Sequence, residues 1–93
     1  MQDESCRLDV WLHRARIFKT RSLATKMILA GKIRITRHGR TVRTRKPGIY
    51  IKPGENVTFM RGQKLMHIEM LKAGTRRGPA PEAQSLYRDH SPA

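Results

Sequence analysis

Between Val10 and Gly54 the chain carries 13 lysines or arginines and not one aspartate or glutamate. A fold built from this stretch cannot neutralise its cations locally. They must lie at the surface while apolar side chains alone form the core. A surface that serves only solubility mixes charges of both signs. An acid-free field repels itself and costs stability until a partner neutralises it. The net charge of +13 over 93 residues points the same way. The expected partner is strongly anionic: nucleic acid first, with an anionic membrane far behind.

A chain of 93 residues suits one small domain. Apolar residues make up 38% of it, enough for a modest core rather than wholesale disorder. Cys6 is the single cysteine, so no intramolecular disulfide can form and a reducing compartment fits. The opening Met-Gln-Asp-Glu lacks the apolar run of a secretory signal, and no stretch reaches the ~20 apolar residues of a membrane span. A soluble, cytoplasmic monomer is the expectation. Catalysis finds little support. His13, His38, His67 and His90 are scattered, and no spacing suggests a metal site, an activated nucleophile or paired carboxylates. The seven glycines are isolated turn punctuation rather than a phosphate-binding loop. No catalytic residue, metal or cofactor is expected.

Leu8, Trp11, Leu12 and Ala15 recur at i, i+3, i+4 and i+7, and Phe18 extends the stripe, which predicts a first helix ending near Ile17. Asp9 falls in its first turn, where a negative charge suits the helix dipole. Thr20 or Ser22 can cap a second helix that Gly31 terminates. On that helix Leu23, Ala24, Met27 and Ile28 make an apolar face opposite Arg21, Ser22, Thr25 and Lys26. Leu29 stands within the polar arc, explained only by a neighbour packing over it. The period then drops to two. Ile33 and Ile35 flank Arg34, Ile49 and Ile51 flank Tyr50, and short strands follow at Thr41–Arg43, Val57–Phe59 and Leu65–Leu71. Beyond Gly74 the composition becomes an Arg- and Pro-containing extended tail, with a short helix near 82–88 and a frayed end. The predicted class is α+β: two N-terminal helices packed on a small, mainly antiparallel twisted sheet. Residues 1–6 are an N-terminal tail, 7–73 the domain and 74–93 the extension.

Phosphate binding is the chemistry these residues suit. Arg21, Ser22 and Thr25 gather near the N-terminus of the second helix, where backbone N–H groups and the dipole favour an anion. Lys26 lies one turn on, and Lys32 and Arg34 carry the positive surface into the first strand. Arg7 and Arg14, seven residues apart, are expected on one side of the first helix. Arg43, Arg45 and Lys46 read as a phosphate-contacting loop. A phosphate backbone demands several cations and neutral hydroxyls on one rigid face, because each neutralised phosphate releases condensed counterions. Trp11 and Phe18 fall on the core stripe, which leaves Tyr50 as the better stacking candidate.

The stretch "RLDVWLHRARIFKTRSLATKMILAGKIRI" resembles the opening of the ribosomal S-four-like RNA-binding domain, or alpha-L motif. The marks are Arg7-Leu8-Asp9, the helix entry Thr20-Arg21-Ser22-Leu23-Ala24, and the exit Ile28-Leu29-Ala30-Gly31-Lys32-Ile33. The resemblance covers about residues 7 to 60 and implies structured RNA bound across the second helix and first strand. Arg7, Arg21, Ser22, Lys26 and Lys32 match its RNA-facing positions, with Thr20 opening the helix-entry mark. Lys19, Thr25 and Arg34 are added from helix and strand geometry. Together with the tail "RRGPAPEAQSLY", the chain resembles the fifteen-kilodalton heat-shock family of ribosome-associated factors. That resemblance implies binding to ribosomal RNA of a dissociated large subunit still holding a nascent chain on tRNA. Two departures stand out. Where the domain commonly has Asn-Gly, Thr36–Arg40 reads as a longer, more basic turn, and the family's long basic tail has no counterpart after "SLYRDHSPA". Two rival readings are a helix-turn-helix DNA binder and an RNA-binding accessory subunit of an RNA-modifying enzyme.

Overall fold

The structure, a computed structural model, describes residues 4–92. Strand β1 (Cys6–Arg7) runs directly into helix α1 (Leu8–Arg14), followed by α2 (Arg21–Leu29). Strands β2 (Ile33–Arg37), β3 (Arg40–Thr44), β4 (Tyr50–Ile51), β5 (Asn56–Arg61) and β6 (Lys64–Met70) come next. Helix α3 (Ala80–Gln84) and strand β7 (Tyr87–Asp89) complete the order. The α+β expectation holds. The main sheet runs β3-β2-β5-β6-β7 with every neighbour antiparallel, and β1 and β4 form a separate two-stranded ribbon.

The predicted periods generate the core. Leu8, Trp11, Leu12 and Ala15 of the first stripe are buried, as are Ala24 and Ile28 of α2. They meet Ile33 and Ile35 of β2, Val57 and Phe59 of β5, and Met66, Ile68 and Met70 of β6 in one cluster. Trp11 is fully buried there, and its Nε1–H donates to the Lys72 carbonyl at 2.8 Å, which satisfies the indole inside an apolar site.

The first helix stops at Arg14, short of the expected Ile17. Arg16 adopts a left-handed φ of 58°, which swings Ile17 and Phe18 inward to be buried. The carbonyls at this end accept from the chain that follows, Leu12 from the Ile17 N–H at 3.0 Å and His13 from the Arg16 N–H at 3.1 Å. Arg77 adds a clamp from the distant tail, donating to the carbonyls of His13 at 2.7 Å and Phe18 at 3.2 Å. The second helix behaves as read: Thr20 Oγ1 accepts from the Leu23 N–H at 3.0 Å, and Gly31 follows the last turn at φ 73°.

The longer loop expected at Thr36–Arg40 is not there. Arg37 faces Arg40 in the ladder, so the connection is the two-residue turn His38-Gly39, with φ values of 50° and 74°. That is the conformation an Asn-Gly hairpin adopts, and histidine tolerates the left-handed region better than most residues. The extension is also more ordered than its composition suggests. The helix read near 82–88 occupies Ala80–Gln84, after which Leu86 is buried and β7 covers the free edge of β6.

Candidate nucleic-acid interface

A buried carboxylate organises the entry to α2. Asp9 is 2% exposed, yet it is an anion in a strongly cationic chain. Arg7 grips both its oxygens, through Nε and Nη2, each at 3.1 Å. Arg21 Nε donates to Oδ2 at 3.3 Å, Thr25 Oγ1 lies 3.4 Å from the same oxygen, and the Val10 N–H donates to Oδ1 at 2.8 Å. Burial pushes the Asp9 carboxyl up, but the hydrogen bonds and charges of Arg7 and Arg21 together outweigh it and hold the group below its ordinary value. The two arginine side chains remain 43% and 52% exposed, so each keeps guanidinium N–H groups facing outward. With Ser22, Pro47 and Gly48 they line a shallow depression at the start of α2. Asp9 therefore acts as a positioning anion: it fixes two guanidiniums in place without covering them.

From this depression a cationic band continues along α2 into the sheet. Ser22 and Lys26 are exposed on the helix, Lys32 and Arg34 lie on the chain entering and forming β2, and Arg43 stands directly opposite Arg34 on β3. Arg45 lies against Gly31, where an added Cβ would come within 2.7 Å of the guanidinium. Lys46 is exposed beside it, and its N–H donates to Thr44 Oγ1 at 3.2 Å. Lys19 is exposed just before the helix, while the Thr20 hydroxyl is engaged in its cap. Lys26, Lys32, Arg34, Arg43, Arg45 and Lys46 have no carboxylate partner among the described residues.

Arg14 stands apart from this band. Its Nη1 donates to the Gly74 carbonyl at 3.0 Å and approaches Cys6 Sγ at 3.6 Å, so it fastens the tail to α1 instead of joining Arg7. Arg16 does the same through the Gly78 carbonyl at 2.6 Å. The cover expected over Leu29 is missing among the described residues: it is 57% exposed in the polar arc of α2, and Tyr50 is also open at 56%. Sequence reasoning missed the role of Asp9, although it is the last acid before the acid-free stretch begins. It also scattered two histidines that β6 and the end of β7 bring together: the His67 and His90 rings lie 5.9 Å apart, with His90 Nε2 2.8 Å from Glu69 Oε1.

An S4 domain family model matches residues 6–35, a span that holds β1, α1, α2 and the whole Asp9 cluster. A heat shock protein 15 homolog from Aeromonas salmonicida is 39% identical over 83 residues, which cover 89% of this chain and 59% of that protein. The homolog from Haemophilus influenzae is 35% identical over 89 residues, covering 96% of this chain and 64% of that one. The solved trimeric structure of Vibrio cholerae heat shock protein 15 superposes with a TM-score of 0.78 at 40% identity, covering 92% of this chain and 82% of that chain. The chain belongs to the heat shock protein 15 family. It spans 59% to 64% of the length of these two curated heat shock protein 15 relatives. The α+β arrangement of helices on an antiparallel sheet is thus the heat shock protein 15 fold, and the S4 segment is the part that carries the Asp9-anchored entry to α2. No helix among the described residues is long and apolar enough to cross a membrane.

Proposed function

We propose that this protein binds structured RNA without catalysing a reaction, and that its target is ribosomal RNA of the large subunit. One observation carries the reading: Arg7, Arg21, Ser22, Thr25, Lys26, Lys32, Arg34, Arg43, Arg45 and Lys46 form a band across α2, β2 and the β3 end. The one carboxylate engaged by these side chains, among the described residues, is the buried Asp9. A rigid face of cations and hydroxyls matches a phosphate path, and the turn from helix to sheet supplies shape selectivity. Lys19 and the Thr20 cap border this path, and Arg14 contributes through the tail it holds. The family resemblance supports the ribosomal target, including a large subunit that retains tRNA. One protomer suffices for this mechanism, so the protein is proposed to bind as a monomer.

The mechanism is equilibrium binding driven by counterion release. Contact with ~4–6 phosphates gives a slope of about −0.7 to −0.9 per phosphate in log affinity against log salt. Affinity for free large subunits should then fall roughly 50- to 2,000-fold between about 50 and 200 mM salt. Co-sedimentation with purified subunits across that range measures it, with duplex DNA of equal charge as competitor. Association that persists unchanged at the higher salt would contradict the mechanism, and preferential loss to the DNA would favour a DNA target.

A further inference from the structure

The second helix shows more apolar surface than the core consumes. Leu23, expected within the buried face, is 42% exposed, and Met27 is only partly covered. Across from them the β5–β6 hairpin leaves Met60 at 49% and Leu65 at 41% exposed, directly opposite each other in the ladder. Met27, Ala30, Met60 and Leu65 line a groove of about 740 Å³, and Lys32, Arg34 and Arg43 line it with them. That volume lies within the range of sites that hold small molecules.

The cations of this groove are arranged at a cost. Arg34 and Arg43 are cross-strand partners, and like charges directly opposite destabilise a sheet. On its other side Arg34 faces Thr58, which offers a hydroxyl but no charge. No carboxylate pairs with either arginine among the described residues. An anion placed between the two guanidiniums converts the repulsion into paired charge-assisted hydrogen bonds.

We infer that this groove seats one unstacked nucleobase of the bound RNA against Met27, Met60 and Leu65, while Arg34 and Arg43 hold the adjoining phosphate. The inference rests on the RNA reading above and deepens it. An acidic, apolar peptide would also suit a cationic groove, but Lys32 and Arg34 belong to both groove and band. A strand lying across α2 and β2 therefore reaches the groove without a second partner. Thioether sulfur makes favourable contacts with aromatic rings. Sequence-specific RNA recognition falls mainly on bases splayed out at bulges and loops.

The test compares three RNA hairpins: one fully paired, one with a single bulged adenosine, and one with an abasic nucleotide at the bulge. Wild-type protein should bind the bulged adenosine about tenfold more tightly than the abasic form, the scale of one stacked base. Met60→Ser with Leu65→Ser should abolish that preference while leaving affinity for the paired hairpin unchanged. Both positions are exposed, and an unaltered thermal midpoint verifies folding. A 4-thiouridine at the bulge should also cross-link to peptides containing Met27 or Met60. The double variant retaining the tenfold preference would overturn the nucleobase inference while leaving the RNA reading intact. Absence of binding to any hairpin would overturn the RNA reading itself. Loss of a protein partner or of self-association, with the base preference unmoved, would assign the groove to a protein instead.

Discussion

Replacing Asp9 with alanine should destabilise the fold by about 2 kcal/mol and weaken RNA binding about tenfold, even though it makes the protein more positive. The two electrostatic effects oppose each other. Removing an anion adds one net positive charge, which in solution at ordinary salt contributes only weakly at distances near the ~8–10 Å screening length. Removing the anchor frees Arg7 and Arg21, which then lose the fixed geometry that readies them for phosphate. It also leaves the Val10 N–H without its 2.8 Å acceptor. Loss of positioning should win, because up to two phosphate contacts depend on it and each is worth more than a screened charge. The stability loss stays below the largest values seen for broken buried pairs, since both arginines are half exposed and can rehydrate. For a domain of this size the thermal midpoint should drop by about 10 °C. Acid provides a second readout. Because the folded carboxyl titrates below its ordinary 3.8, its contribution is fully present above that pH and fades as pH falls through the lower folded value. The gap between wild type and Asp9→Asn should thus hold steady at neutral pH and close only in strong acid. Tighter RNA binding by the alanine variant would show that bulk charge, not positioning, sets affinity.

Reversing two charges that the fold does not use should separate binding from stability most cleanly. Lys26→Glu with Arg34→Glu places acids in the middle of the band, where neither native side chain has a carboxylate partner among the described residues. Two phosphate contacts become two repulsions, so affinity for ribosomal RNA should fall at least about 100-fold, or roughly 3 kcal/mol. Stability should hold or rise, because a glutamate in place of Arg34 would stand opposite Arg43 and turn a like-charge pair into an attractive one. Arg21 is the wrong residue to reverse. A glutamate there would face the buried Asp9 and confound lost binding with lost folding. Filter binding alongside thermal denaturation reads both quantities. Undiminished affinity in a folded double variant would move the interface off α2 and β2.

Much of this architecture is legible in the sequence because its signals are local. The Leu8, Trp11, Leu12 and Ala15 stripe and the Ile33–Ile35 alternation each report which face is buried, and those faces are buried. The cationic band is legible for the same reason: Arg21, Ser22 and Lys26 share one helix, and Lys32 and Arg34 follow within one strand's reach. What escaped depends on distant partners. Asp9 reads as a dipole-suited first-turn acid, but its ligands come from Arg21 and Thr25 on the next helix as well as from Arg7. Arg14 reads as a companion of Arg7, but Gly74, 60 residues away, claims it. Leu23 satisfies the helical period, yet no described element crosses above it to complete its burial. His38-Gly39 is itself a turn signal, and only the extra length read into Thr36–Arg40 fails, because histidine is a less familiar occupant of the left-handed position than asparagine. The tail's return as β7 depends on an open edge of β6 that composition cannot reveal.

Titrating isotopically labelled protein with large-subunit ribosomal RNA, and following each amide and guanidinium by NMR, tests the proposed platform directly. Arg7, Arg21, Ser22, Thr25, Lys26, Lys32 and Arg34 should shift or broaden together and recover as salt is raised. Perturbation confined to α3 and β7, with α2 silent, would contradict the account.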